Sequence, residues 1–254
     1  MELRGRSLWL IGASSGIGAA LAPALAAEGC LLAISARRAP ELLRVAGEAS
    51  LRGPQPLVKP LDVKDLDAMQ RTYAELKQAW GRVEVMFYNA GTGMDASVEN
   101  FDTRAALDLM DVNLLGLVRA VGTVMPDMIT DRAGEIIGMA SIAGYAGMPK
   151  SSSYSASKAA EIAFLQSLRI DLRRHGIGVT TVNPGWIRTP LTEHSRSRMP
   201  FIISAEEAAR RIVEGMLKGE PEIHFPKRLS WPAKLFTALP RPIYETIARR
   251  TAGH

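Results

Sequence analysis

Tyr154 and Lys158 lie four positions apart in the segment Tyr154-Ser155-Ala156-Ser157-Lys158, and Ser141 precedes the tyrosine by thirteen. On a helix, four-residue spacing puts two side chains on one face, about one turn apart. A free phenol titrates near ~10 and exchanges protons poorly at neutral pH. A neighbouring ammonium stabilises the phenolate and brings it toward the working range. A hydroxyl from a separate element, such as Ser141, can hold a carbonyl oxygen against the phenol. The three groups together can give a proton to, or take one from, an oxygen on carbon. A lone Tyr–Lys pair is more often a half-exposed surface pair, so the surrounding elements decide its meaning.

Those elements alternate. Short apolar runs at Ser7–Ile11, Leu31–Ala36, Pro56–Lys59, Val83–Tyr88, Glu135–Ala140, Val179–Val182 and Glu222–Phe225 read as seven strands. Helical patterns fall between them, near 17–28, 40–51, 64–80, 103–129, 153–174 and 205–218. Fully apolar strands separated by helices predict an α/β fold: a Rossmann-type, doubly wound parallel sheet of seven strands in one domain. That domain is expected over residues 1–228, with a helical extension over 229–254. Asp102-Thr103 and Ser204-Ala205-Glu206-Glu207 read as helix starts, and His175-Gly176 as a stop.

Composition narrows the class. A net charge of +5 without a long Lys/Arg run predicts no nucleic-acid groove. The single cysteine, Cys30, allows no internal disulfide and fits a reducing, cytoplasmic compartment as a buried, inert thiol. Ser7 to Ala27 carries no charge, but its glycines, serines and Pro23 fit strand, turn and helix better than a signal or a span. The four histidines lack metal-ligand spacing and are expected at exposed or capping positions.

After the first strand comes Gly12-Ala13-Ser14-Ser15-Gly16-Ile17-Gly18. Glycines let backbone approach a pyrophosphate, and the next helix offers its N-terminal N–H groups to the anion. The second strand ends in Ser35-Ala36-Arg37-Arg38, with no acid to hold a ribose 2′-hydroxyl. Arg37 and Arg38 suit a 2′-phosphate, which predicts NADP(H) over NAD(H); the alternative is a solvated basic turn.

With these motifs the chain resembles the short-chain dehydrogenase/reductases of the single-domain kind, from about Ser7 to Phe225. The resemblance adds Asp62-Val63, Asn89-Ala90-Gly91, Asn113, and Asn183-Pro184-Gly185 followed by Ile187 and Thr189. It implies that Asp62 and Val63 contact the adenine and that Asn89, Ala90 and Gly91 line the cofactor cleft. It implies that Asn113 holds a water linking Lys158 to solvent, and that Lys158 bonds the nicotinamide ribose. Ile187 and Thr189 would contact the carboxamide. Ile11 and Tyr88 depart from residues common in the family at those positions, Thr and Asn.

The expected reaction is hydride transfer between a nicotinamide and a carbonyl or alcohol carbon, with Ser141 placing the oxygen and Tyr154 handling its proton. The alternative is an NADP(H)-binding sensor or scaffold without turnover, which would have no need of Asn113, Ser141, Tyr154 and Lys158 together. Met94, Ile142, Tyr145, Met148, Trp186, Leu191, Met199 and Phe201 would form an apolar substrate wall or simply pack a lid. His194, Arg196 and Arg198 fit a solvated loop better than an acid-binding site. Apolar residues on more than one face of 153–174 suggest a subunit interface, and so a homodimer or homotetramer. From Lys227 on, six bases face one acid, and apolar positions from Trp231 to Ile247 recur at helical spacing on either side of Pro240. Such a tail can cover the substrate mouth, meet a partner subunit, or touch an anionic membrane peripherally.

Overall fold

The computed structural model describes residues 1–93, 98–193, 199–237 and 239–251. β1 (Ser7–Ile11) leads to α1 (Gly16–Ala27), β2 (Leu31–Ala36) to α2 (Ala39–Ser50), and β3 (Leu57–Pro60) to α3 (Leu66–Trp80). β4 (Val85–Tyr88) precedes one long helical run: α4 (Thr103–Met110), a π-helical turn (Asp111–Leu115) and α5 (Gly116–Asp131). β5 (Gly134–Met139) precedes α6 (Ser152–Leu172), and β6 (Ile177–Pro184) precedes β7 (Ile187–Arg188), α7 (Pro190–Glu193) and β8 (Ile203–Ser204). α8 (Ala205–Lys218), β9 (Glu222–Phe225), α9 (Lys227–Phe236) and α10 (Arg241–Thr251) follow.

All seven expected strands join one sheet in the order β3-β2-β1-β4-β5-β6-β9, and every neighbouring pair is parallel. The small β7–β8 pair stands apart and was not expected from the apolar pattern, since two-residue strands leave no period to read. Alternation along β1 shows how both sheet faces are covered. Leu8 and Leu10 join the core beneath α1, α2 and α8, whereas Trp9 and Ile11 join the core beneath α3, α5 and α6. Trp9 Nε1 reaches Ser35 Oγ on β2 at 2.9 Å, satisfying two polar groups inside the sheet. Cys30 lies fully buried, and burial pushes its thiol up to about 12, as an inert thiol requires.

Local signals set the helix ends. Asp102 accepts from Ala105 N–H at 3.0 Å and Ser204 from Glu207 N–H at 3.1 Å, both as N-caps. Gly176 closes the turn after α6 at φ 73°. The run Thr103–Asp131 is long and apolar enough to cross a membrane by length and composition. In this fold Leu117, Val121 and Val124 instead bury against the sheet. At its π-turn, Tyr88 donates its hydroxyl to the Val112 carbonyl, and Gly116 makes room for that ring.

α9 and α10 break at Pro240, as expected, and dock on the same chain. Lys234 Nζ lies 2.6 Å from Glu222, and the Tyr244 hydroxyl donates to the Gly147 carbonyl. Trp231 and Leu235 remain exposed. One histidine corrects the sequence expectation. His224 sits buried on β9, where Lys227 donates to Nε2 at 3.1 Å and Nδ1 meets Ser230 Oγ at 2.7 Å. That pattern is a neutral imidazole donating from Nδ1, and burial together with Lys234 and Lys227 holds it below its ordinary pKa.

Candidate active site

The strand order reverses between β1 and β4, and α/β sheets bind ligands at such a point. The Gly12 turn and the Asn89-Ala90-Gly91 segment meet there. Asn89 Nδ2 donates to the Gly12 carbonyl at 2.7 Å. Gly12 adopts φ 94°, and a Cβ on it would lie 2.4 Å from Ala90 N. A Cβ on Gly18 would lie 2.1 Å from the Gly12 carbonyl oxygen, so both positions need glycine.

Ser15 starts α1 without a side-chain cap, leaving the first N–H groups of Gly16, Ile17 and Gly18 uncapped by it. Arg38 Nη2 reaches Ser14 Oγ at 3.0 Å and brings a guanidinium to the same turn; Arg37 beside it is exposed. A tight glycine cradle, a helix N-terminus and a cation form a donor set that fits a dinucleotide phosphate. Thr189 approaches this cradle from the far wall, its Cγ2 3.2 Å from where a Gly16 Cβ would stand. Asp62 accepts from Lys64 N–H at 3.1 Å, and Val63 is buried beside Gly116.

The chemistry-bearing groups gather along β5, α6 and the π-turn. Ser141 is buried at the end of β5; its Oγ accepts from Ala143 N–H at 3.1 Å and lies 3.4 Å from the Pro184 carbonyl. The short turn after it, Ile142–Gly144, packs tightly on α6: a Cβ on Gly144 would lie 2.6 Å from the Lys158 carbonyl carbon. Sheet end and helix are thereby locked together. Tyr154 is half-buried, and Lys158 Nζ lies 5.8 Å from its ring centroid. Lys158 is buried and donates to the Met139 carbonyl at 2.8 Å.

Asn113 is fully buried on the π-turn. Its Nδ2 donates to the Thr92 carbonyl and to Ser157 Oγ, both at 3.0 Å, while Oδ1 accepts from Thr92 N–H at 2.8 Å. A Cβ on Gly91 would lie 3.5 Å from both Asn113 Oδ1 and Lys158 Nζ, which places these three residues side by side.

Sequence reasoning missed two acids. Glu161, one turn beyond Lys158, is buried and accepts from Nζ at 2.9 and 3.1 Å. Burial pushes its carboxyl up to about 7, against the pull of the Lys158 charge. Its signal was an acid three residues after the lysine. Glu222 accepts from the Tyr145 hydroxyl at 2.7 Å and from Asn183 Nδ2 at 2.8 Å. Its signal was a lone acid opening an apolar strand.

Of the expected wall, Leu191 packs near Gly93, while Met148 and Phe201 are exposed and Trp186 is half-buried. Gly185 bonds the Phe225 carbonyl through its N–H at 2.7 Å, and Ile187 is buried. Met94, His194, Arg196 and Arg198 lie outside the described residues.

Residues 7–200 match the short chain dehydrogenase family. The chain belongs to the short-chain dehydrogenase/reductases. An uncharacterized oxidoreductase of Myxococcus xanthus is 32% identical over 249 residues, covering 98% of each chain. A fatty acyl-CoA reductase of Acinetobacter baylyi is 32% identical over 85% of this chain and 75% of its own length. A family member from Burkholderia cenocepacia in complex with NADP superposes at TM-score 0.84, with 25% identity over 98% of this chain and 99% of that one. Another, from Burkholderia phymatum in complex with NAD, reaches 0.85 with 21% identity over 94% and 95%, a likeness of fold.

Proposed function

We propose that this family member is an NADP(H)-dependent oxidoreductase that interconverts a carbonyl and an alcohol on an apolar substrate. The observation that carries the reading is Lys158 beneath the Tyr154 ring, on a helix locked to the Ser141 turn at the cofactor edge of the sheet. The nicotinamide, when bound, supplies or accepts the hydride. Ser141 orients the substrate oxygen. Tyr154 gives that oxygen a proton in reduction and takes it back in oxidation. Lys158 supports the phenolate electrostatically, and Asn113 braces the neighbouring Thr92 backbone and Ser157.

The NADP(H) preference rests on Arg37 and Arg38 and on the missing acid at the end of β2. The apolar substrate class rests on exposed Met148, Leu191 and Phe201 and on the tail, which docks at Gly147 beside Met148. The fatty acyl-CoA reductase relative is consistent with such a class. Exposed Leu107, Leu115 and Ile170 on the long helix and α6 support a homo-oligomer formed through that face.

The test is a screen of NADPH and NADH oxidation against long-chain aldehydes, ketones and quinones, with alcohols in reverse, for the wild type and Tyr154→Phe. The variant keeps the ring and loses the proton, so turnover should collapse by at least about a hundredfold while cofactor affinity survives. Near-wild-type turnover in the variant would refute the assignment.

A further inference from the structure

Lys158 has more than one charged or polar partner. Within the site it faces the Tyr154 ring, but its own hydrogen bonds go to the Met139 carbonyl and to both oxygens of Glu161. Glu161 is 1% exposed, so its charge is screened by protein rather than by water. None of the four groups the family resemblance brings to the chemistry is an acid. A carboxylate on the same ammonium that serves the phenol therefore changes what that phenol experiences.

We infer that Glu161 is a positioning residue that acts through Lys158 to hold Tyr154 in its protonated, proton-donating form. This rests on the oxidoreductase reading above and adds control of the phenol's proton to it. An ammonium near a phenol favours the phenolate, and a carboxylate bound to that ammonium offsets the effect. With Glu161 ionised, the pair presents little net charge to Tyr154, and the phenol holds its proton. With Glu161 neutral, the full Lys158 charge acts on the phenol, which releases its proton more readily.

The surroundings leave Lys158 as the dominant charge on Glu161. From β4, Tyr88 approaches, its phenol pushed well above the usual range first by burial and then by Glu161. Arg119, Asp111 and Asp62 act on Tyr88 from behind. From the π-turn comes the neutral amide of Asn113, and from β5 the Met139 carbonyl. Burial pushes the Glu161 carboxyl up, against the pull of the Lys158 charge.

The test reads Tyr154 directly and needs no substrate. Ultraviolet phenolate absorbance is titrated in the whole protein and in its Tyr154→Phe variant, and the difference isolates Tyr154. The same pair is then compared in a Glu161→Gln background. Glutamine keeps the shape and removes the charge, so the Tyr154 midpoint should fall by about one pH unit, an effect of about tenfold expected for a charge removed at this range. If Glu161→Gln does not fold, Glu161→Asp withdraws the carboxylate by one methylene and should move the midpoint the same way by less. NADPH affinity, measured by fluorescence, should stay within about threefold, since the Gly12 turn is untouched. An unchanged midpoint in a folded Glu161 variant would overturn the inference. A protein that turns over no carbonyl or alcohol yet shows the shift would retire the proposed reaction and leave the coupling standing. Turnover with an unshifted midpoint would retire the coupling alone.

Discussion

Tyr145 donates its hydroxyl to Glu222 at 2.7 Å, joining the turn after Ser141 to the last strand of the sheet. Lys234 from the tail binds the other oxygen of the same carboxylate at 2.6 Å. The turn after Ser141, the sheet edge and the C-terminal helix thus meet at one acid. Tyr145 was expected as an apolar wall residue, yet its polar end is held by the scaffold.

Tyr145→Phe should keep the ring and strand part of that acid's hydrogen bonding. The loss should cost about 1 kcal/mol in denaturant unfolding, the net worth of one hydrogen bond, because half-exposed Glu222 keeps Asn183 and Lys234 as partners. Substrate KM should rise while NADPH affinity stays put. Unchanged stability and an unchanged KM would show that the bond contributes nothing.

Acid should loosen the tail. His224 is held below its ordinary 6.5 by burial and by Lys234 and Lys227, so the unfolded form takes up a proton first. Its contribution is intact above about 6.5 and is lost as pH falls through the lower folded value. Limited proteolysis at pH 7.5 and 5.5 should show faster cleavage beyond Pro226 at the lower pH, and His224→Gln should flatten that difference. Equal cleavage in the wild type at both values would refute the account.

Gly18→Ala should damage the cofactor site more than the fold. The new methyl would lie 2.1 Å from the Gly12 carbonyl oxygen and 2.5 Å from Asn89 Nδ2, so the cradle must open. Overpacking of this kind costs about 1–3 kcal/mol. NADPH affinity by fluorescence quenching should fall at least about tenfold, matching a loss of about 1.4 kcal/mol or more. Wild-type affinity would mean that the turn does not hold the phosphates.

Arg38→Ala should narrow the gap between cofactors. Its guanidinium reaches Ser14 on the glycine turn at 3.0 Å, where a 2′-phosphate would gain a charge-assisted bond of roughly 1.5–3 kcal/mol. NADPH should weaken about tenfold or more, and NADH should change little, by isothermal titration. Equal affinities for both cofactors in the wild type would count against the preference.

Much of this architecture was legible because it is repetitive or locally encoded. The strands of the main sheet are buried on both faces and so read as apolar runs, and the glycine turn and the Tyr154–Lys158 spacing are short-range patterns. The rest depends on contacts between distant segments. Glu161 looks like an ordinary surface acid on α6 until the fold buries it against Lys158. His224 looks exposed until α9 folds back over β9. The π-turn that points Asn113 inward leaves no periodic signal, because it inserts a single register shift into an otherwise helical run.

The Tyr88 hydroxyl would lie 2.0 Å from a Cβ at position 116, while its proton goes to the Val112 carbonyl one turn earlier. A phenol at position 88 therefore admits only glycine at position 116. A shorter side chain at 88 would remove the closest clash, leaving Val63 Cβ, 3.2 Å from a Cβ at 116, to give by a few tenths of an ångström. The two sites, 28 positions apart, are thus coupled sterically: a side chain larger than glycine at 116 requires one shorter than tyrosine at 88.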